Sequence, residues 1–522
     1  LSDQLHQHLA LLQKAPGIAC LTDISHGLEK ESLRVDPNGH LAQTLHPAAL
    51  GSALTHATIT TDFSEALMEF ITPVFNNPQD SIGFLADLHS YTYLKMPREE
   101  LLWTSSMPCV IGQDEDIPLA QYGSSNVGKL KTLYRLGLGH RYGRSMQTIA
   151  GIHYNFSLPD EFWKLYRSVL GSQQSLQEFK NEHYFRLIRN FRRHSWLLLY
   201  LFGASPALCK SFVKSKPGHG LEEFDEHSFY APYATSLRMG DLGYTSKAQA
   251  GLHISYNSLE EYANGLLNAI RIPYEPYSHI KTEDGSPAQL NTSILQIENE
   301  FYSTIRPKRV SHSGIRPVRI LREQGVEYIE VRLLDLNPFL PVGIDEEQIH
   351  FLNGFLLFCL LRGSPLSDRG EYREIDSNLQ AVVRRGRDPA LRLQQNGQPR
   401  SMLEWAKEIL TQVEALATLL DEVNETTVHR KATRNQLAKL QDPELTPSAK
   451  VLRRMREMKT AYFRFAMNQS LANSDFFRAR TLSPAALEAF GKMTSESIAA
   501  QHKIEASDTI DFATYLKNIN QS

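Results

Sequence analysis

Glutamates at alternate positions inside strand-like segments are the feature of this sequence that points most directly to chemistry. In Gly27-Leu28-Glu29-Lys30-Glu31-Ser32-Leu33-Arg34 both glutamates fall on one face of a strand, because successive side chains point to opposite faces. In Thr61-Asp62-Phe63-Ser64-Glu65-Ala66-Leu67-Met68-Glu69-Phe70, Glu69 lies between Leu67 and Ile71 on a face that otherwise reads as buried. Glu330 and Arg332 share a face, and Gln296, Glu298, Glu300 and Tyr302 line up at period two. Charges on a buried strand face are costly unless paired or bound to cations. Several converging acids with few lysines nearby suit hard divalent ions, which take oxygen ligands. Mg²⁺ bridging ATP oxygens is one use of such a cage. His153, at period two with Asn155, would add a nitrogen ligand that Mn²⁺ also accepts. Plainer readings stay open at this point: a solvated face or salt bridge for any single glutamate, a hydrogen-bonded core role for His153, and simple pairing of Arg332 with Glu330.

The elements that must position these residues are unevenly spaced. Leu28–Val35, Ala66–Thr72, Ile152–Leu158, Ser293–Ile305 and Val326–Leu336 read as strands from their period-two pattern, and Asp36-Pro37-Asn38-Gly39 supplies turn chemistry after the first. Residues 2–15, Asn126–Leu138, Glu178–Leu201 and Ser258–Ile270 read as helices, and Trp196–Phe202 and Phe351–Leu361 as core helix too short to span a bilayer. Beyond residue 400, Ser401–Asn424, Pro447–Arg464 and Pro484–Lys503 are further helical stretches, and Arg384–Arg400 is the best linker candidate. Without regular βαβ alternation, an α+β fold with a mixed or antiparallel sheet is expected. There is no G-x-x-x-x-G-K-[ST] and no G-x-G-x-x-G opening a helix, so a bound nucleotide would be held through metals and basic side chains.

Composition is ordinary for a large enzyme: 522 residues, 42% hydrophobic and 22% charged. A net charge of −3 argues against nucleic acid and for small-molecule partners. Cys20, Cys109, Cys209 and Cys359 lie far apart with no metal-finger or disulfide-framework spacing. The opening residues lack a charged and an apolar region, so no signal peptide, no membrane segment and a cytoplasmic location are expected.

At these same segments the sequence resembles the proteobacterial class of glutamate–cysteine ligase. The matching stretches are Gly27–Arg34, Gly51–Pro73, Gln121–Leu138, Met146–Pro159, Pro232–Tyr244, Leu295–Arg309 and Gly325–Phe339, in order over most of the first 340 residues. The resemblance implies a curved, mainly antiparallel sheet of the glutamine-synthetase-like carboxylate–amine ligase type, surrounded by helices. It implies a catalytic core over 1–385 and a helical C-terminal extension over 386–522, with no functional motif after about residue 365. It implies metal roles for Glu29, Glu31, Asp62, Glu69, His153 and Glu330, with Mg²⁺ as the ion and Mn²⁺ as a substitute. Asp62 is added by the family match, and only that match leaves out Glu65, which shares parity with Glu69. Glu298 and Glu300 are held as residues supporting the ligands, and Glu327, of opposite parity to Glu330, reads as structural.

The same resemblance places Arg332 against a transferred phosphoryl group. Arg306, Lys308 and Arg309 either help neutralise a triphosphate or form a solvated basic loop. It implies an amino-acid pocket of Phe63, Tyr134, Leu138, Gln147, Arg238, Tyr244 and Tyr302, with Arg238 facing a substrate α-carboxylate. Lys131 and Arg135 read as surface charges. The implied reaction activates the γ-carboxylate of glutamate as an acyl phosphate with ATP and passes it to the amine of cysteine, on a monomer. The rivals are a ligase with another acceptor amine and a catalytically silent metal-binding protein on the same scaffold.

Overall fold

The computed structural model describes residues 2–521 apart from 109, 214–217, 244–246, 283 and 311–315. Its centre is an open, seven-stranded antiparallel sheet. The strands that matter are β1 (Ser25–Val35), β2 (Ile59–Thr61), β3 (Leu67–Ile71), β4 (Leu101–Leu102) and β5 (Ile152–Ser157). A separate small sheet joins β6 (Ala207–Cys209), β7 (Glu222–Glu223) and β8 (Ser228–Tyr230); the main sheet resumes with β9 (Ile305–Lys308) and β10 (Tyr328–Leu334). The order across the main sheet is β2-β3-β1-β5-β10-β9, with β4 also paired to β1. Pro307 is accommodated because β9 lies at an edge, where a missing N–H breaks no inner ladder.

Alternation divides the sheet into two unlike faces. Phe70, Ile152, Tyr154, Ile329 and Val331 turn toward a helical layer and are buried. The Pro78–Lys95 and Glu346–Leu361 helices lie on that side: the His89 ring packs tilted on Phe70, centroids 4.3 Å apart, and the Tyr154 hydroxyl donates to Asn353 at 2.6 Å. The Leu176–Phe202 helix packs along Glu346–Leu361 and on β9 and β10. The other face carries the clustered acids and is lined by the Asn126–Tyr142 helix, which starts at a Ser125 cap and stops at Gly143, where φ is 82°. One continuous apolar cluster runs from Leu5 to Phe490.

Three stretches differ from the sequence expectation. Only Ile305 of Ser293–Ile305 is strand; Glu298–Glu300 is a tight 3₁₀ turn, so its polar alternation is not a strand face. Arg384–Arg400 is not a linker: it contains the end of the Arg369–Arg385 helix and most of a hairpin, β11 (Arg392–Gln395) and β12 (Gln398–Ser401), turning on Asn396-Gly397 with φ of 54° and 73°. Pro447–Arg464 is broken, because Lys459 adopts φ 47° and separates Pro447–Met458 from Tyr462–Ala479. At the C-terminal end, Leu516 seats against Leu133 and Leu290, bracing the Asn126–Tyr142 helix from outside. No described helix is long and apolar enough to cross a membrane.

Candidate active site

Strand register gathers the acids. Glu31 faces Glu69 across β1–β3, Glu29 faces His153 across β1–β5, and Glu330 faces Asn155 on one side and Arg306 on the other. A cavity of about 240 Å³ opens on this face. Glu29, Glu31, Asp62, Glu69, His153 and Glu330 all line it, as do Arg332, Arg306 and Lys308. So do Phe63, Tyr134, Leu138, Gln147 and Tyr302. Tyr244 lies outside the described residues.

The polar contacts tie these groups together. His153 Nδ1 is 2.9 Å from Glu29 Oε2, and Asn155 Nδ2 donates to Glu29 Oε1 at 2.9 Å. The Gly151 N–H donates to Glu31 at 2.6 Å. Arg332 donates to Glu330 at 2.9 Å, and Lys308 Nζ stands 3.4 Å from the same carboxylate. Gln147 donates to the Tyr302 hydroxyl at 2.9 Å. Ligand atoms of Glu29, Glu69 and His153 lie within 4.8 Å of one another.

Electrostatically the cavity has two ends. Burial opposes ionisation of Glu330, but Arg332, Lys308 and His153 outweigh it and hold the carboxyl well below its ordinary range. Burial is likewise outweighed at Glu29, by the His153 hydrogen bond, leaving that carboxyl lowered. At the other end the compensating groups, His153, Arg238 and the Gly151 N–H at Glu31 and Arg135 at Glu69, fall short. Burial and then the Asp62 charge push Glu31 up, and burial with Asp62, Glu29 and Glu31 pushes Glu69 well above its ordinary value. A set of oxygen donors plus one imidazole, crowded enough to repel, fits hard divalent cations.

Other expected residues sit elsewhere. Arg238 does not line the cavity. It is 1% exposed behind Gly151, where an added Cβ would come within 1.9 Å of its guanidinium, and it donates to the Arg332 carbonyl at 3.1 Å and stands 3.8 Å from Asp335. From there its charge favours ionised Glu31. Arg306 and Lys308 are not a solvated loop but strand residues of β9, and Arg306 also donates to the carbonyls of Asn299 and Phe301. Arg309 turns away to Gly325 and Gln177.

Glu300 borders the cavity with both oxygens engaged, by Arg141 and Tyr142 on one and the Gln296 N–H on the other. Glu298 accepts from the Val318 N–H, Glu65 from the His46 and Gln121 N–H groups, and Glu327 from the Val310 N–H. These four acids are structural in this arrangement.

Two features were not legible in the sequence. Lys131 and Arg135 are half-buried, not surface charges, and Arg135 lines the cavity because its helix lines the polar face. Its neighbours Tyr134 and Leu138 were the available signal. Secondly, the acidic cavity shares His153, Tyr302 and Arg332 with a larger one of about 350 Å³, walled by Leu252, Ile254, Tyr256, Phe301, Tyr372 and Leu379. Apart from Phe301, which lies in the Leu295–Arg309 stretch, these come from segments with no motif.

Comparison with known proteins agrees with this arrangement. A family profile described as glutamate-cysteine ligase matches residues 9–382. Glutamate–cysteine ligase of Pseudomonas fluorescens is 50% identical over 517 residues, covering 99% of this chain and 97% of that protein. Its counterpart in Pseudomonas aeruginosa PAO1 is also 50% identical, covering 99% and 98%. Among solved structures, glutamate–cysteine ligase from Francisella tularensis in complex with AMP superposes with a TM-score of 0.90 at 36% identity, covering 96% of this chain and 98% of that one. A bifunctional glutathione synthetase from Pasteurella multocida gives a TM-score of 0.74 at 25% identity, covering 94% of this chain and 58% of that one. By sequence over almost its whole length and by fold, the chain belongs to the glutamate–cysteine ligase family.

Proposed function

We propose that this protein joins the γ-carboxylate of L-glutamate to the α-amine of L-cysteine, converting ATP to ADP and phosphate and giving γ-glutamylcysteine, the first step of glutathione biosynthesis. The observation that carries this reading is the polarity of the cavity. Basic groups, Arg332, Arg306 and Lys308, gather around Glu330 at one end; crowded acids lie in the middle, and a small aromatic and apolar lining completes it. Glutamate–cysteine ligases identical at half their positions support the same reading.

In the first step an oxygen of the glutamate γ-carboxylate attacks the γ-phosphorus, and the bond to ADP breaks. In the second the cysteine nitrogen attacks the acyl carbon, phosphate leaves with the C–O electron pair, and the nitrogen sheds a proton. No covalent nucleophile from the protein is needed; alignment and charge neutralisation do the work. Arg332 faces the transferred phosphoryl group, with Lys308 and Arg306 behind it. Glu29, Glu31, Asp62, Glu69, His153 and Glu330 would hold Mg²⁺, or Mn²⁺ in its place. Such ions supply Lewis-acid neutralisation of phosphate oxygens. The adjoining cavity takes the nucleoside, since aromatic and aliphatic walls suit a flat base and Arg332 is common to both spaces. Every residue lining either cavity falls within 1–385, which supports a catalytic core there and a packed helical extension over 386–522.

The test is an ADP-release assay with glutamate, ATP and a panel of amines, with the product identified by mass spectrometry. Cysteine-dependent ADP release and γ-glutamylcysteine are expected. ADP release that ignores cysteine, or clear preference for another amine, would overturn the assignment.

A further inference from the structure

We propose that residues 505–520 form a strap that positions one wall of the acidic cavity, so that substrate affinity depends on residues that never touch substrate. The proposal rests on the ligase reading for what the cavity binds and adds what holds that wall in place. Tyr134, Arg135 and Leu138, on the Asn126–Tyr142 helix, line the cavity, as do Asn299, Glu300 and Tyr302. Neither group belongs to the strand ladders that fix the acids. The two segments meet through Gln296, whose Nε2 donates to the Tyr134 carbonyl at 3.2 Å and whose Oε1 accepts from the Leu290 N–H at 2.9 Å. Arg141 adds its pair with Glu300 at 2.9 Å.

Residues 505–520 tie the same two segments together a second time, from outside. The Ser124 N–H donates to Glu505 at 2.8 Å and the Asn126 N–H to Asp508 at 2.6 Å, while Asn126 Nδ2 donates to the Ile510 carbonyl at 2.9 Å. The Asn126–Tyr142 helix has no acid in its own first turn, so these two carboxylates supply the negative charge that its N-terminal N–H groups favour. The approach is close: Gly123 has φ of 82°, and a Cβ there would run into the Gln501 and Glu505 side chains. Farther along, the Phe512–Gln521 helix seats Leu516 against both Leu133 and Leu290. Asn520 Nδ2 donates to the Leu290 carbonyl at 2.7 Å, and Arg316 donates to the Ile519 carbonyl at 2.9 Å.

The strap is lightly held. Leu516 is its one buried residue, and a helix of 10 residues is marginal in water unless it docks. Docking is therefore an equilibrium at the low-stability end of the molecule, and detachment frees the helix start and the Leu290 segment together. No residue of 505–520 lines either cavity. Glu29, Glu31, Glu69, Glu330 and Arg332 stand on the ladders of β1, β3 and β10, so detachment lowers affinity and spares the chemical step. The larger cavity takes much of its wall from other segments, among them Tyr256, Tyr372 and Leu379.

The test compares wild type with Leu516→Asp, which puts a charge in the apolar contact, and Asp508→Asn, which keeps size and removes charge. Amide hydrogen exchange should quicken over 126–134 and 289–297 as well as over 505–520, while β1 and β10 keep their protection. KM for glutamate and cysteine should rise about 3- to 30-fold in Leu516→Asp, the factor by which detachment dilutes the binding-competent wall, and less in Asp508→Asn. KM for ATP and kcat at saturation should stay within about twofold of wild type. Leu516→Met and Asp508→Glu should keep KM near the wild-type value. Asp508→Asn carries every readout if Leu516→Asp fails to fold. Faster exchange confined to 505–520, or a fall in kcat with both amino-acid KM values unchanged, would overturn the strap. Wild-type protein that forms no γ-glutamyl product would instead overturn the ligase reading, and the strap then stands or falls on exchange over 126–134 and 289–297.

Discussion

Replacing Glu69 by glutamine should stabilise the metal-free protein while destroying its activity. Glu69 and Glu29 place carboxylate oxygens within 4.8 Å, and Glu69 also faces Glu31 directly across β1–β3. Two like charges at that distance repel by about 3.5 kcal/mol at an effective dielectric of 20. Part of this is already relieved by proton uptake, since burial, Asp62, Glu29 and Glu31 raise the Glu69 pKa well above 4.5. The net gain expected in EDTA at neutral pH is therefore smaller, about 1–3 kcal/mol. The pH dependence has a definite sign. A carboxyl whose pKa is raised on folding binds more protons folded than unfolded, so stability falls as pH climbs from 4.5 toward the folded value. Glu69→Gln should flatten that slope. Urea unfolding in EDTA across pH 5–8, repeated with Mg²⁺, reads both effects, because Mg²⁺ should stabilise the wild type more than the variant. ADP release at saturating ATP should nearly vanish, as it should for Glu29→Ala. A variant less stable than wild type in EDTA at neutral pH, or one with ordinary ADP release, refutes the account of this cluster.

Glu300→Ala removes the carboxylate from a pair with Arg141 whose side chains are both 0% exposed, and should cost about 3–5 kcal/mol in urea unfolding, where a ligand role alone would cost little. Lys30, on the opposite face of β1, donates to Ser32 at 2.5 Å and lies 2.9 Å from His89 Nε2, with burial pushing its pKa down to about 7. The unfolded chain then holds more protons between about 7 and 10.5, so stability should rise with pH over that window; Lys30→Met should abolish the rise and gain on the order of 1 kcal/mol or more at pH 6–7, measured by thermal unfolding. Leu379→Trp, which narrows the larger cavity, should raise the KM for ATP several-fold and leave that for glutamate near its wild-type value; the reverse pattern in steady-state kinetics would move the nucleoside elsewhere.

The amino-acid sequence by itself determined which strands carry the acids. Period-two placement of Glu29 with Glu31, and of Glu330 with Arg332, needs only the geometry of an extended chain, and β1 and β10 bear it out. The same rule misread Gln296–Tyr302, because polar alternation over a few residues does not distinguish a strand from a 3₁₀ turn, and Glu298 and Glu300 went to helix capping and a buried arginine. What only the tertiary structure decided is which residues meet. The register of β1 against β3 and β5 sets Glu69 opposite Glu31 and His153 opposite Glu29, although they are 38 and 124 residues apart in the chain. A helix lining that face brings Arg135 into the cavity, while packing behind Gly151 takes Arg238 out of it. Local pattern fixes the side of a strand on which a side chain stands. Its neighbours across the sheet depend on long-range pairing, which no local pattern contains.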